Sequence, residues 1–213
     1  MILVTRSAEP AILITNKAIW LTNLLAAKAA GDDLLFKRLQ KKYGHNQIKA
    51  ELELMFSEKC AYCESTINVV TVGHIEHFRP KSRFIGLTFA WTNLLLSCPK
   101  CNDKQHKGVK FPSVSAGGPL INPSAEDPAD HFDFIYNRIT NQALVAPKTT
   151  RGQVTAQMFG LNRRKALLRE RSKNIKRLLA LKTYEFSDPI AAALLIEARN
   201  SDEPYLAWIN ALI

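Results

Sequence analysis

The 213-residue sequence has no apolar run of membrane-spanning length. PIAAALLI, at 189–196, is about its longest, well short of the roughly 20 residues a bilayer-crossing helix needs. The opening stretch, MILVTRSAEPAILITNK, carries Glu9 and Pro10 where a secretory leader would need its apolar segment, so a cytoplasmic protein with no membrane partner is expected. Acidic residues are scarce: 19 Asp and Glu stand against 29 Lys and Arg, leaving a net charge of +10. That surplus predicts an anionic partner, with nucleic acid ahead of a membrane surface. Internal repeats and low-complexity tracts are also missing, so nothing in the sequence points to a repeat architecture.

Cysteine is limited to four residues, in CAYC (Cys60, Cys63) and CPKC (Cys98, Cys101). A reducing cytoplasm argues against disulfides. Two matched Cys-x-x-Cys knuckles present four thiolates tetrahedrally, as a structural Zn²⁺ requires. Unrelated buried cysteines, or a redox pair, are the competing readings, but all four fall into two matching pairs. The stretch between the knuckles is long enough to carry something of use, and HIEHFRP (74–80) lies in it.

Periodicity divides the chain into three. Residues 1–56 read as helical, with Asn16 capping a first helix, a second following from Asp32, and Asn46 preceding a third. Residues 57–112 hold every cysteine together with His74, His77 and His106, and NVVTV (68–72) reads as a strand leading into the cluster. Residues 113–213 read as mainly helical, with a hairpin at 132–146, a helix over 161–182 and a last helix capped by Ser201.

Spacing then suggests chemistry. If a helix opens at Asn102, His106 follows one turn later on the same face, and the two make a natural pair of metal ligands. Alone, Asn102 could be only a helix cap. Glu76, from the preceding strand, would add a hard anionic oxygen. His77 would stand beside the ion as general base, on the opposite side of the strand from Glu76 unless the chain bends before Pro80. His74 shares Glu76's parity and reads as a surface or supporting group. His45 and His131 read as structural, and Trp91 as core. Arg79, Lys81, Arg83 and Lys107 are either a solvated rim or phosphate contacts. The 161–182 helix carries nine cations, Arg163 and Arg164 among them, against Glu170 alone. Contact with a nucleic-acid backbone and docking on an acidic partner both fit that helix.

With these residues in view, Cys60–Lys107 resembles an HNH endonuclease of the ββα-metal type with zinc knuckles. Glu76-His77 matches the family's paired acid and catalytic histidine, Asn93 its central asparagine, Asn102 its third motif position, and His106 the extra histidine of some branches. The resemblance implies an α+β fold in which a zinc-braced ββα core sits between N- and C-terminal helices. It implies that His77 activates water, that Glu76, Asn102 and His106 hold Mg²⁺ or Mn²⁺, and that Asn93 orients the histidine's loop. Glu76 departs from the commoner aspartate by one methylene. More of the chain is similar to the nuclease subunit of Septu-type antiphage defence systems: KCAYCES, HIEHFRPKS, AWTNLLLSCPKCN, LINPSAEDP and LNRR carry that likeness. It implies an ABC/SMC-like ATPase partner and phage-triggered cleavage of nucleic acid, DNA favoured over RNA, sometimes beside a retron. The alternative is a non-catalytic zinc-stabilised module that binds nucleic acid or docks on a partner.

Overall fold

The computed structural model describes residues 1–213 except Val69 and Val70. The strand expected over 68–72 falls partly on that excluded pair, and the described strand starts at His74. Helix α1 spans Ala11–Ala29, α2 Asp33–Gln40 and α3 Asn46–Met55. Asn16 does not cap α1. The helix follows directly from Pro10, and the Asn16 amide turns back to donate to the Ile12 carbonyl at 3.0 Å. Asp32 does cap α2, its carboxylate accepting from the Leu35 N–H at 2.9 Å. At α3 the cap is His45, whose Nδ1 accepts from the Gln47 N–H.

Strands β1 (His74–His77) and β2 (Leu94–Ser97) pair antiparallel, with His74 opposite Ser97 and His77 opposite Leu94. Leu94, Leu95 and Leu96 are all fully buried, which explains why β2 reads as a continuous apolar run without alternation. One face of β2 packs toward α3. A single-turn helix, α4 (Pro99–Asn102), follows, started by Pro99 at its first position and by the Cys98 sulfur accepting from the Cys101 N–H. β1, β2 and α4 make the compact ββα unit that carries the site.

The hairpin expected at 132–146 is present as β3 (Phe132–Asn137) and β4 (Gln142–Pro147). Phe132 and Phe134 point inward while Asp133 and Ile135 face out, the period of a half-buried strand. Helices α5 (Thr150–Met158), α6 (Lys165–Lys182), α7 (Pro189–Glu197) and α8 (Leu206–Leu212) complete the chain. α6 begins four residues later than its pattern suggests, because Gly160 (φ +58°) opens a turn through Leu161–Arg164. The last helix starts after Tyr205, not at Ser201. Arg171, one of the nine cations of 161–182 read as available to a nucleic-acid backbone or an acidic partner, is fully buried. Its guanidinium donates to the Ala143 and Leu161 carbonyls and lies 4.2 Å from the Trp208 ring centre. One hydrophobic core joins side chains from all three stretches of the chain. Among the described residues no helix is long and apolar enough to cross a membrane.

Candidate functional site

The two knuckles close on one point. The sulfurs of Cys60, Cys63, Cys98 and Cys101 lie within 4.8 Å of one another, and all four residues are buried. Tetrahedral ligands at zinc–sulfur distances of about 2.3 Å stand roughly 3.8 Å apart, and the Cys63 and Cys98 sulfurs are separated by 3.8 Å. The tetrad is therefore suited to zinc. It sits against the ββα unit, since the Ala61 N–H donates to the Leu96 carbonyl at 2.9 Å, tying the first knuckle to β2. Arg164 Nη1 donates to the Cys101 sulfur at 3.2 Å. Arg164, expected to contact nucleic acid, thus commits one guanidinium nitrogen to a knuckle sulfur.

A cavity of about 580 Å³ lies at the end of β1, lined there by Ile75, Glu76 and His77. Glu76 and His77, adjacent on β1, both border this cavity at the strand's end, although their side chains meet different partners, Lys107 for Glu76 and Thr88 with Tyr43 for His77. Asn102 and Lys81 line it as well, and Gln40 and Tyr43 reach it from the N-terminal helices. His77 is buried, its Nε2 lies 3.0 Å from the Thr88 carbonyl oxygen, and the Tyr43 ring meets it edge-on with centres 4.6 Å apart. A carbonyl only accepts, so Nε2 carries the hydrogen and Nδ1 is left as the unprotonated nitrogen. Burial lowers the His77 pKa to about 4, which keeps the ring neutral near pH 7.

Glu76 is paired. Lys107, itself completely buried, donates through Nζ to the Glu76 carboxylate and to the His77 carbonyl, the latter at 2.8 Å. Burial pushes the Glu76 carboxyl up and the Lys107 ammonium down, and each charge opposes the other's shift. Lys107 was expected on a phosphate-binding rim. A fully enclosed ammonium committed to two acceptors has no reach to one.

Asn93 binds the chain that leaves β1. Its Oδ1 accepts from the Arg79 N–H at 2.8 Å, its Nδ2 donates to the Arg79 and Leu87 carbonyls at 3.0 and 3.2 Å, and its own carbonyl accepts from the Phe78 N–H. Both ends of the 78–87 loop are thereby held to the start of β2.

His106 does not join Asn102. The helix stops at Asn102, Asp103 turns to ψ 167°, and the Asp103 carboxylate takes both the His106 N–H and its ring Nδ1, at 2.9 and 2.8 Å. The other ring nitrogen lies beside Gly160, 3.5 Å from where a Cβ there would stand. The neighbour Asn102 does have is His74, whose Nδ1 is 3.5 Å from the Asn102 amide nitrogen. Among the described residues, the cysteine tetrad is the one cluster of three or more His, Cys, Asp or Glu placed to share an ion.

The remaining expected cations divide. Lys81 lines the cavity with its ammonium 4.9 Å from the Tyr43 ring centre. Arg79 and Arg83 are exposed and lean on Phe84, with Arg83 also donating to the Phe111 carbonyl. Arg163 is exposed and donates to the Gln157 carbonyl. Trp91 is core, its indole N–H donating to Ser7. His131 is held between Thr149 and Glu126. Tyr43, Gln40 and Thr88 escaped sequence reasoning, because no local pattern links a residue in KKYG to a histidine far along the chain.

Residues 60–108 match the HNH endonuclease family model. The chain is 33% identical to Septu protein PtuB of Bacillus mycoides (strain KBAB4) over 219 residues, covering 90% of this chain and 72% of that protein. It is 32% identical to Septu protein PtuB of Bacillus thuringiensis over 144 residues, covering 67% of this chain and 50% of that relative.

Proposed function

Because the chain belongs to the Septu PtuB family, we propose that it is a metal-dependent HNH endonuclease, the effector of an antiphage defence system working with an ABC/SMC-like ATPase. Its substrate is the phosphodiester bond of nucleic acid, DNA ahead of RNA. The observation that carries this reading is His77: a neutral imidazole with Nε2 fixed on Thr88 and Nδ1 free, in one cavity with Glu76 and Asn102.

In this reading His77 Nδ1 takes the proton from the attacking water. Tyr43 and the Thr88 carbonyl fix the plane of the ring, and Asn93 fixes the backbone that follows it. Lys81 offers a cation to the phosphate from the cavity wall. Glu76 and Asn102 supply oxygen donors of the kind Mg²⁺ and Mn²⁺ take, and a bound ion would supply Lewis-acid stabilisation of the charge gathering on the phosphate. The buried cysteine tetrad would hold zinc through its four sulfurs in a structural role, leaving no open position for substrate.

A second reading, a non-catalytic zinc-braced module that binds nucleic acid or docks on a partner, draws support from Lys107, which already neutralises Glu76. The two separate in one assay. The purified chain, stripped of loosely bound metal, is given plasmid DNA or tRNA with Mg²⁺ or Mn²⁺, with and without the ATPase, beside His77→Ala. Metal-dependent cleavage lost in His77→Ala is the expected result. Equal silence of both proteins with the ATPase present, while zinc and nucleic-acid binding persist, would replace the nuclease with the binding module.

A further inference from the structure

Along α6, Lys165, Arg169, Lys173 and Lys176 succeed one another at intervals of four, four and three residues, so they recur on one helical face. All four are exposed. They edge a groove of about 500 Å³ whose other bank is the tip of the β3–β4 hairpin, where Thr140, Asn141 and Gln142 present hydroxyl and amide groups. No carboxylate lines the groove, and Leu168 is its one large apolar side chain among the described residues.

Like charges four residues apart weaken a helix, and a merely solvated face relieves this with acids at the intervening turns. α6 has Glu170 as its only acid. Arg169 touches it at 3.4 Å in full solvent, and among the described residues Lys165, Lys173 and Lys176 make no ion pair. A local rule broken without internal compensation is the mark of a surface kept for a ligand. The ligand's chemistry follows from the lining. Protein interfaces have apolar, lysine-poor centres, whereas sugar–phosphate backbones are held by Lys and Arg supported by Asn, Gln and Thr.

We propose that this groove is a second nucleic-acid track, separate from the catalytic cavity, that grips the phosphodiester backbone by charge without reading sequence. It rests on the reading of the chain as a nuclease, whose substrate it would hold.

The test uses the full chain carrying His77→Ala, so that bound substrate survives, with and without Lys165→Gln, Arg169→Gln, Lys173→Gln and Lys176→Gln combined. Binding to a duplex DNA and to a duplex RNA of arbitrary sequence is followed against salt concentration. Each lost phosphate contact should flatten the log K versus log salt slope on duplex DNA by about 0.9. Loss of roughly two to four contacts, with affinity down at least tenfold at low salt, is expected. The DNA and RNA arms show which backbone the groove prefers. An unchanged slope in a folded variant of unaltered zinc content overturns the proposal, as does an unchanged slope accompanied by lost association with the ATPase, which makes the groove a protein-docking face. Metal-dependent cleavage by the wild-type chain reports separately on the nuclease reading. A wild type that cleaves while the slope is unchanged sinks the groove alone, and a slope that falls while wild type never cleaves sinks the nuclease alone.

Discussion

Lys107 and Glu76 form a largely buried ion pair, with Glu76 at the wall of the cavity that also holds His77. Removing one partner of such a pair leaves the other charge stranded, which costs about 3–5 kcal/mol, whereas replacing both by apolar groups of similar size costs far less. Lys107→Met is therefore expected to destabilise strongly in urea denaturation, and Lys107→Met/Glu76→Met to recover most of the loss. Equal losses in the single and double variants would show that the pair is not buried as described.

Asn93 makes three side-chain hydrogen bonds to the loop after β1. At about 1 kcal/mol each, Asn93→Ala should cost roughly 2–4 kcal/mol. Asn93→Asp keeps the acceptor for the Arg79 N–H but sets an oxygen against the Arg79 and Leu87 carbonyls, so it too should destabilise. If either variant melts with wild type, the loop is held by something else.

Arg164 bears on zinc retention. Its hydrogen bond to the Cys101 sulfur spreads the negative charge of a four-thiolate site. Arg164→Gln should weaken zinc binding about tenfold to a hundredfold in competition with a colorimetric chelator. Stripping the metal altogether should expose four titratable thiols and melt the ββα unit. Zinc retention equal to wild type would leave Arg164 with packing alone.

Glu126 gives the fold an acid-sensitive element. Burial works to raise its carboxyl pKa, but hydrogen bonds from Arg151 and from the Asn122 backbone hold it below the ordinary glutamate range. A group whose pKa is depressed on folding contributes stability above its unfolded value, here 4.5, and loses it as pH falls through the lowered one. Glu126→Gln should thus cost about 1 kcal/mol at pH 7, with the gap to wild type closing in acid. A gap that widens in acid would contradict the pairing.

The features legible in the sequence were those set by neighbours along the chain. The four cysteines declared their pairing by spacing, Asp32 the place where a second helix follows, and the hairpin its alternation around RITN. What required the fold was contact between distant segments or an early stop. His106 misled because four-residue spacing places two side chains together only if the helix continues, and the Asp103 carboxylate ends it. Lys107 misled because lysine is almost always exposed, and nothing in its own stretch reveals the carboxylate waiting on β1. Asn16 looked like a helix start because asparagine caps well, yet Pro10 had already set the chain in helical course. The nine cations of 161–182 were a correct count but a mixed population, since Arg171 and Arg164 are spent inside the protein.

Arg6, in the irregular segment before α1, donates to the Trp91 and Leu94 carbonyls and to the Ser124 hydroxyl, and so bridges the approach to β2 with the chain beyond the ββα unit. Tyr43 comes to His77 from upstream of that unit, and Arg164 to Cys101 from downstream of it. A transplant limited to residues 60–108 would carry the motif but leave behind the ring that steadies its base, the cation on its sulfur and the strap across its edge. For protein engineering, the portable unit is nearly the whole chain, and inheritance of this site by shuffling short cassettes is disfavoured for the same reason.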